Sequence, residues 1–260
     1  MDQTKAPPVL FERVGEHVAV ITLNRPHARN AINAEMALLI EQLVAQVEGD
    51  PTIRAAIIAA EGTAFCAGAD LKEVAAGGAE ALSRPLTGFA GFVYGERVKP
   101  WIAAVQGPAH GGGAEIALAC DMIMAADTAA FALPEVKRGL IAGAGGCIRL
   151  GRAIPRAVAL EMVMTGDAID ADRAYAVGLV NRVVSAASVR DEAIRMAEVI
   201  AANSPLSVRE SRRLTQLGID LSDRDIRELQ AAAIETVVGG PDLIEGAMAF
   251  VQKRAPVWKS

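Results

Sequence analysis

The chain has 260 residues, of which 52% are hydrophobic and 22% charged, and its formal net charge is −5 at pH 7. This composition favours a folded globular protein, and an acidic chain without a long Lys/Arg cluster is not expected to bind nucleic acid. The apolar runs are shorter than the ~20 residues that span a bilayer, and residues 1–15 contain no apolar signal core, so we expect no membrane contact.

The cysteines are Cys66, Cys120 and Cys147, an odd number without a C-x-x-C pair. This spacing predicts neither a disulfide framework nor a zinc site, and it fits a reducing cytoplasm. We interpret the cysteines as small buried hydrophobic residues and expect no metal.

Short apolar runs alternate with amphipathic stretches over most of the chain. The segment 34–50 places apolar residues at helical spacing, with Asn33 as its N-cap. Buried strands are predicted before and after it, at 17–24, 53–60, 99–107 and 120–127. This alternation of strand and helix predicts an α/β core.

After about residue 188 the sequence pattern is helical throughout, in four successive stretches. Ser204 followed by Pro205 fits the N-cap and the first position of one of these helices. No low-complexity linker separates the two parts of the chain. We divide it into an α/β core, residues 1–187, and an all-helical C-terminal region, residues 188–260.

The stretch HGGGAEIALACD, residues 110–121, combines three adjacent glycines with one acid, Glu115. If the glycines open a helix, their unpaired amides and the helix dipole together make an anion or oxyanion site. Glu115 follows Gly112 by a little under one turn of about 3.6 residues, so it stays near whatever these amides hold. The alternative is close packing of a helix start on a strand, with Glu115 as a partner of the dipole.

The stretch CAGADLKE, residues 66–73, offers a second turn of this kind. Gly68 relaxes the backbone and Asp70 has the position of an N-cap, which leaves the amide of Ala69 free to point outward as a second donor. The alternative is an ordinary capped turn without a ligand.

A third stretch, FALPEVKRGLIAGAGG at residues 131–146, places Glu135 after a short strand-like segment. Two acids that converge on one pocket can divide the roles of base and acid, which makes Glu115 and Glu135 candidates for such a pair. Taken alone, Glu135 is typical of a surface or capping residue. The glycines at 139–146 do not match G-x-G-x-x-G, so no dinucleotide site is expected.

These three stretches, in this order, resemble the crotonase (enoyl-CoA hydratase/isomerase) superfamily, and the likeness covers roughly residues 10–258. Further matching segments are LNRPHARNAIN at 23–33, KPWIAAVQGPA at 99–109, TGDAIDADRAYAVGLVNRVV at 165–184 and EGAMAFVQKRAPVW at the end. The resemblance implies a spiral of ββα units whose helical C-terminal region serves oligomerisation and covers the site, in a homotrimer or a dimer of trimers. It also implies an acyl-CoA thioester as substrate and no separate cofactor, because CoA is part of the substrate.

The resemblance further implies the roles of the site residues. The amides of Ala69 and Gly112 match the oxyanion hole for the thioester oxygen, where loss of one donor typically costs about 10²–10³ in rate. Glu115 matches the base toward water, and Glu135 matches the acid that delivers a proton to C2. The expected reaction is reversible hydration of a 2-enoyl-CoA, since isomerases of the family usually lose the first of these acids.

Other positions match the family's contacts with CoA and substrate: Ala28, Arg29, Ala67, Asp70, Leu71, Gly111 and Lys253. Many hydratases have Lys-Ala-Leu where this chain has His27, Ala28 and Arg29. Arg29 therefore either supplies a cation near the CoA phosphates or is a solvated charge at a turn.

Several departures from the family pattern put a simple short-chain specificity in doubt. His110 stands where Leu is common, and is either a packed or backbone-bonded histidine or a titrating neighbour of the site. Lys137 and Arg138 follow Glu135 and are expected to depress its pKa, which weakens it as an acid. Ala142 stands where a Pro is usual.

The segment 74–98 is expected to shape the acyl pocket. Its larger apolar side chains either line a tunnel or form the packed face of a helix: Leu82, Leu86, Phe89, Phe92 and Tyr94. Near the end of the chain, Phe250, Lys253 and Trp258 resemble the terminal helix that reaches CoA or the acyl chain in this family.

Two other functions stay open on this reading. One is double-bond isomerisation, or dehydration of a specialised 3-hydroxyacyl-CoA, on the same scaffold. The other is a CoA-binding subunit without turnover, for which loss of one or both glutamates would be expected. A Ser-His-Asp hydrolase has no support, because the chain lacks G-x-S-x-G.

Overall fold

The computed structural model describes residues 6–260, which form eleven strands and ten α-helices. The strands are β1 (Val9–Val14), β2 (Val18–Leu23), β3 (Ala55–Ala60), β4 (Ser83–Arg84), β5 (Gly88–Phe89), β6 (Trp101–Val105), β7 (Ala109–His110), β8 (Met122–Ala126), β9 (Ala130–Ala132), β10 (Ile169–Asp170) and β11 (Arg182–Val184). The helices are α1 (Ala34–Gly49), α2 (Leu71–Ala75), α3 (Gly112–Leu118), α4 (Gly146–Ala153), α5 (Arg156–Thr165), α6 (Ala171–Ala176), α7 (Val189–Ala201), α8 (Pro205–Leu217), α9 (Asp223–Gly239) and α10 (Asp242–Gln252). Short 3₁₀ turns lie at Pro26–Ala28, Ala79–Leu82 and Pro134–Arg138.

A six-stranded sheet in the order β1-β2-β3-β6-β8-β11 forms the centre of the fold. β1 is antiparallel to β2, and the other neighbouring strands are parallel. β2 and β6 are buried along their whole length, as expected for parallel strands covered on both faces. The four strands predicted from the apolar runs are confirmed as β2, β3, β6 and β8.

Helices α1 and α7 cover opposite faces of this sheet. Because successive side chains of a strand point to opposite faces, Ile21 and Ile58 pack in one apolar cluster with α1, whereas Val20 and Ile57 pack in another with α7. The side chain of Asn33 caps the first turn of α1, as the sequence predicts. The main apolar core therefore lies on both sides of the sheet.

A smaller sheet, in the order β10-β9-β7, carries two of the predicted motifs. α3 begins soon after β7, and the 3₁₀ turn Pro134–Arg138 follows β9. Since β7 and β9 are parallel neighbours, the segments that follow them leave the sheet at the same edge. This topology brings Glu115 on α3 and Glu135 in the 3₁₀ turn to one side of the molecule.

The segment 74–98 is not a continuous helix. A 3₁₀ turn and the hairpin β4–β5 follow the end of α2. The hairpin is tied to α1, because Arg84 and Thr87 both donate to the carboxylate of Glu41, at 2.8 and 2.6 Å. The alternative that this segment is a helix packing its own apolar face is therefore wrong.

The four helices predicted after residue 188 are present as α7, α8, α9 and α10. Ser204 caps α8 and Pro205 is its first residue, as predicted. α7 packs on the central sheet, whereas α8 packs with α9 and α9 with α10. The division of the chain at residues 187 and 188 stays a prediction.

Among the described residues, no helix has the length and apolar character needed to cross a membrane. The expectation that residues 1–15 lack a signal core falls partly on residues 1–5, which lie outside the described part of the chain.

Candidate active site

Each of the three glycines at the start of α3 is required by its surroundings. Gly111 has a φ of +55°, in the region that favours glycine. A Cβ on Gly112 would lie 2.3 Å from Cε1 of Phe89, and a Cβ on Gly113 would lie 2.1 Å from the carbonyl oxygen of Cys66. The close packing considered as the alternative reading of the triplet is therefore real, and it occurs at the N-terminal, positive end of a helix dipole.

The turn at 66–71 lies directly against this helix start. Gly68 has a φ of +92°, and a Cβ there would lie 3.1 Å from the backbone nitrogen of Gly112. Ile32 donates to the carbonyl of Gly68 at 2.8 Å and accepts from the amide of Asp70 at 2.9 Å. In such a parallel bridge the N–H of the middle residue, Ala69, points to the other side of the segment.

The amides of Ala69 and Gly112 are both free of acceptors within residues 6–260. Gly112 is the first residue of α3, so its N–H has no partner inside the helix. The close approach of Gly68 to Gly112 brings the two segments together. The structure thus contains the pair of available backbone donors that the sequence predicts; their role is taken up below as a proposal.

Glu115 is buried in the first turn of α3, with 3% of its surface exposed. Its Oε1 accepts a hydrogen bond from the amide of Gly146, at 2.9 Å. Burial raises the pKa of Glu115 to about 7 against the effect of this hydrogen bond, and the nearby charge of Glu135 raises it further. The carboxyl therefore titrates near neutral pH.

Glu135 is half-buried in the 3₁₀ turn after β9. Its Oε1 lies beside Gly111, where a Cβ would come within 2.9 Å, and its Oε2 is buried without a hydrogen-bond partner among the described residues. Burial raises the pKa of Glu135 above its ordinary value, although its own backbone amide and Arg138 act in the opposite direction. The two acids thus face one region, and both are shifted toward their protonated forms.

The predicted depression of the Glu135 pKa is wrong as a net effect, because the pKa is raised overall, although Arg138 acts in the predicted direction. Lys137 donates to Asp167 at 2.6 Å, and both side chains of that pair are exposed. Arg138 does lower the pKa of Glu135, but burial outweighs it. A cation adjacent in sequence has little effect when its side chain points into solvent.

His110 precedes the glycines on β7 and is half-buried. Its Nε2 is buried without a partner among the described residues, so the ring is packed but this nitrogen is not backbone-bonded. Burial lowers the pKa of His110, and the charge of Arg29 lowers it further. The histidine is therefore neutral at pH 7, which favours the packed interpretation over the titrating one.

An ion pair joins the two loops that the sequence assigns to CoA. Arg25 donates to Asp70 at 3.1 Å and to the carbonyl of Ala31 at 2.7 Å. Asp70 also caps α2, as predicted, by accepting from the amide of Lys72. Burial acts to raise the pKa of Asp70, but the hydrogen bonds from Arg25 and from the Lys72 amide outweigh burial and hold this pKa below its ordinary value.

The predicted CoA contacts fall into two places. Arg29, Ala67 and Leu71 are exposed on adjoining turns, and the amide of Ala67 donates to the carbonyl of Arg29 at 3.0 Å. Ala28 is half-buried beside them, and Gly111 is buried at the helix start. Lys253 lies at the end of α10, and no hydrogen bond or ion pair among the described residues links its side chain to these turns.

Sequence reasoning missed Asn30, which organises the first of these loops. Asn30 is fully buried with a φ of +54°. Its side chain accepts from the amide of Arg25 at 2.8 Å and donates to the carbonyls of Glu61 and Ala64, at 2.8 and 2.9 Å. The tolerance of Asn for this backbone region, just after a Pro-initiated turn, was the available signal.

The apolar residues predicted to line an acyl tunnel separate into different environments. Phe89 is half-buried against Gly112 and thus adjoins the site. Leu82 and Phe92 belong to the core, where the ring of Phe92 packs edge-on against Trp101 with 5.3 Å between centroids. The remaining two are exposed: Leu86 and Tyr94. Of these five residues, therefore, only Phe89 lies beside the site, as expected for a residue that lines an acyl tunnel.

Three further residues singled out in the sequence lie as follows. Ala142 is buried near the start of α4, where a Cβ on Gly146 would lie 2.9 Å from its Cβ. Phe250 is exposed on α10, whereas Trp258 donates its indole N–H to the carbonyl of Ala202 at 2.7 Å, which makes Trp258 an anchor of the chain end.

The interpretation of the cysteines as buried holds for Cys66 and is wrong for Cys147, which is exposed. Burial raises the pKa of Cys66 to about 12, which makes its thiol unreactive. Among the described residues, no group of three or more His, Cys, Asp or Glu side chains is placed to hold a metal ion.

A family model described as enoyl-CoA hydratase/isomerase matches residues 13–260. Mevalonyl-coenzyme A hydratase SIDH of Beauveria bassiana (strain ARSEF 2860) is 40% identical over 276 positions, covering 100% of this chain and 99% of the relative. Carnitinyl-CoA dehydratase of Escherichia coli (strain K12) is 42% identical over 245 positions, covering 92% of this chain and 94% of the relative.

Solved structures give the same family. The crystal structure of enoyl-CoA hydratase from Mycobacterium tuberculosis H37Rv superposes with a TM-score of 0.93 at 42% identity, covering 97% of this chain and 99% of that one. Carnitinyl-CoA hydratase from Mycobacterium avium gives a TM-score of 0.77 at 42% identity, covering 98% and 99%. The predicted fold is confirmed, and the chain belongs to the enoyl-CoA hydratase/isomerase family as one of its enzymes.

Proposed function

We propose that this enzyme catalyses the reversible addition of water across the C2=C3 bond of a 2-enoyl-CoA thioester. One arrangement carries the proposal: Glu115 lies in the first turn of α3, and Oε1 of Glu135 lies beside Gly111, the residue just before that helix. Glu115 is buried, Glu135 is half-buried, and the charge of Glu135 raises the pKa of Glu115. A paired acid and base beside available backbone donors is what hydration of a conjugated thioester requires.

The oxyanion hole in this proposal consists of the amides of Ala69 and Gly112. When water adds at C3, negative charge develops on the thioester oxygen as an enolate. Two N–H donors fixed by the backbone hold that charge without reorganising, and the dipole of α3 adds positive potential at the same point. Support for this assignment is that neither amide has an acceptor within residues 6–260.

The water lies between the two carboxyls. Glu115 removes one proton from the water as its oxygen bonds to C3, and Glu135 donates a proton to C2 as the enolate collapses. The net change is addition of H to C2 and OH to C3. Glu115 is then protonated and Glu135 ionised, and transfer of a proton from Glu115 to Glu135 through solvent restores the starting state. The hydrogen bond from Gly146 to Oε1 of Glu115 leaves Oε2 of this residue for the water.

This scheme needs one ionised and one protonated carboxyl in the resting enzyme. Two acids that repel each other and are both desolvated favour the singly protonated pair. Burial raises the pKa of Glu115 to about 7 and also raises the pKa of Glu135, which supports a pair of acids that retains a proton.

The CoA portion is assigned to the loops joined by Arg25 and Asp70. Ala28, Arg29, Ala67, Leu71 and Gly111 line this side of the site in the proposal, and Arg29 supplies a cation for the phosphates. Lys253 is a further proposed contact from α10. CoA enters as part of the substrate, so the scheme uses no other cofactor.

The acyl group is proposed to be substituted, and the ring of Phe89, which lies against Gly112, is proposed to border it. Relatives named mevalonyl-CoA hydratase and carnitinyl-CoA dehydratase support a substituted acyl group over a plain short chain. The reverse direction, dehydration of a 3-hydroxyacyl-CoA, uses the same groups. Retention of both glutamates argues against a non-catalytic subunit.

The test is a panel of enoyl-CoA thioesters, from crotonyl-CoA to branched and long chains, assayed by loss of the enone absorbance. Hydration of at least one member, with the 3-hydroxyacyl-CoA identified by mass spectrometry, is expected. Movement of a double bond without uptake of water would replace hydration by isomerisation. No turnover of any member, despite tight binding, would support the subunit instead.

We also propose that the chain assembles as a homotrimer or a dimer of trimers. Large apolar side chains are exposed on α9 and α10, among them Ile234, Val238, Ile244, Phe250 and Val251. Exposed apolar patches of this kind mark association surfaces. Light scattering on the purified protein should give a mass of three or six chains, and a monomer would contradict the proposal.

The proposed compartment is a reducing cytoplasm. All three cysteines are free thiols in the structure, and Cys66 and Cys120 have pKa values raised by burial to about 12. Localisation of a tagged chain by cell fractionation is the direct test.

A further inference from the structure

A cavity of about 730 Å³ lies between residues 93–98, the C-terminal end of α3, and α8. Glu115 and Glu135 do not line it. Its lining contains two glutamates, Glu96 and Glu210, and five arginines: Arg97, Arg149, Arg209, Arg212 and Arg213. The concentration of positive charge is notable because the whole chain has a net charge of −5.

Two of the five guanidinium groups have carboxylate partners. Arg212 pairs with Asp121 at 2.8 Å, and Arg213 pairs with Glu210 at 2.7 Å. The other three, those of Arg97, Arg149 and Arg209, have no carboxylate within 4.0 Å in the described part of the chain. The cavity therefore retains uncompensated positive charge.

Arg97 and Arg149 are held rigidly by groups that leave their charge intact. Arg97 donates to the carbonyl of Ala119 at 2.7 Å, and Arg149 donates to that of Ala144 at 3.0 Å. The guanidinium of Arg97 also lies 4.1 Å from the centroid of the Phe92 ring, and its Nε is buried without an acceptor within residues 6–260. These cations are fixed before any ligand arrives.

Arg209 and Arg213 face the cavity from α8. Their i, i+4 spacing places them on one face of the helix, where two like charges destabilise a helix. Arg209 is half-buried, and its side chain makes no hydrogen bond in the part of the chain that the structure describes. The ion pair of Arg213 with Glu210 offsets part of this repulsion, whereas Arg209 has no carboxylate partner in the described part of the chain.

We propose that this cavity binds a multivalent oxyanion, a phosphate or polycarboxylate group, through Arg209 and Arg213, with Arg97 and Arg149 supplying a fixed positive field. Guanidinium groups match such oxyanions because their planar N–H pairs can donate two parallel hydrogen bonds. Neither Glu115 nor Glu135 lines this cavity, but it adjoins the acyl-CoA site, because the charge of Arg149 reaches Glu115 and lowers its pKa. The proposal does not depend on the reaction catalysed at that site.

The experiment is isothermal titration of the full-length protein with inorganic phosphate and, separately, with citrate, at constant ionic strength set by chloride. The variants are Arg209→Gln and Arg213→Gln. Arg227→Gln is the matched control, because Arg227 is an exposed arginine on the neighbouring helix α9 and does not line the cavity.

Saturable one-site binding of at least one probe is expected for the wild type and for Arg227→Gln. In Arg209→Gln and in Arg213→Gln, the affinity for the anion should fall by about tenfold or more, because each variant removes one charge-assisted contact. Binding of phosphate alone identifies a phosphorylated ligand, and binding of citrate alone identifies a carboxylate ligand.

Absence of saturable binding to the wild type would overturn the proposal, and so would equal affinities in all four proteins. Circular dichroism of each variant shows whether the fold is retained. Hydration assays on the same samples keep the two proposals apart, since Arg209→Gln should leave turnover of the enoyl-CoA unchanged whether or not the anion binds.

Discussion

The carboxylate of Glu115 accepts a hydrogen bond from the backbone N–H of Gly146, with 2.9 Å between oxygen and nitrogen. Glu115 lies in the first turn of α3, and Gly146 is the first residue of α4, so the acid joins the N-terminal ends of two helices. Only glycine fits at 146, because a Cβ there would lie 2.9 Å from this same carboxylate oxygen. The contact fixes the orientation of a buried acid whose pKa is about 7.

The buried carboxyl of Glu115 should make stability depend on pH. Its pKa is about 7 in the folded state against an ordinary value of 4.5, so between these values the folded state holds a proton that the unfolded state has released. The free energy of unfolding therefore falls as pH rises through this window. Glu115→Gln removes the buried charge and should be about 1–3 kcal/mol more stable than the wild type above pH 7.

Urea unfolding at several pH values measures this effect. The difference in the free energy of unfolding between Glu115→Gln and the wild type should shrink as the pH falls toward 4.5. Glu161→Gln, at an exposed position, serves as the control and should show no such trend. A Glu115→Gln variant that is less stable than the wild type above pH 7 would contradict the assignment of a costly buried charge.

Both acids should be needed for turnover. Glu115→Gln and Glu135→Gln are each expected to lower kcat for hydration by about 10²-fold or more, because a positioned acid or base typically contributes that much. Binding of a CoA ester, followed by calorimetry, should change little, since neither carboxylate is assigned to the CoA portion. Near-wild-type kcat in either variant would remove that residue from the mechanism.

The oxyanion donor at Gly112 can be removed with proline, which lacks an N–H and fits the first position of a helix. Because a Cβ at 112 would overlap the Phe89 ring, the substitution is made as Phe89→Ala/Gly112→Pro. This double variant should lose about 10²–10³ in kcat relative to Phe89→Ala alone.

Phe89→Ala is the matched control, since it opens the same space and keeps the amide. Circular dichroism and the melting temperature of both variants check that α3 is retained. Equal kcat values in the single and double variants would show that the Gly112 amide takes no part in the reaction.

The ion pair between Arg25 and Asp70 should matter for binding more than for chemistry. Asp70→Asn keeps a good N-cap for α2 but removes the charge that faces Arg25, so the two loops lose a link. We expect KM for the enoyl-CoA to rise several-fold with a smaller change in kcat. Asp172→Asn, at an exposed position of α6, is the control, and equal kinetic constants in both variants would contradict a role for the pair.

Local sequence patterns were sufficient to predict many of the strands and helix ends. The strands that became β2, β3, β6 and β8 are confirmed, because runs of small and branched apolar residues have no stable place except a sheet covered on both faces. Asn33, Asp70 and Ser204 cap helices as predicted, since capping depends on side-chain contacts within one turn. The order of the three motifs was also enough to predict the family.

Charges near Glu135 show where such signals fail. Lys137 and Arg138 are adjacent in sequence, yet Lys137 pairs with Asp167 in solvent and burial controls the pKa of the acid. The segment 74–98 shows the same limit, because its fold follows from the tie of the β4–β5 hairpin to Glu41 on α1, a residue far away in the chain.

The sequence by itself determined the class of fold, the capped helices and the buried strands, and it singled out Glu115 and Glu135 as the candidate acids. Only the tertiary structure decided two further points: whether the free amides of Ala69 and Gly112 lie near each other, and whether Glu115 and Glu135 share one environment. Both follow from the parallel pairing of β7 with β9, which places the segments after these strands at the same edge of the small sheet. The physical reason is that residue types and local spacing fix propensities and short-range hydrogen bonds, whereas desolvation and the mutual repulsion of two carboxyls depend on which distant segments pack around them.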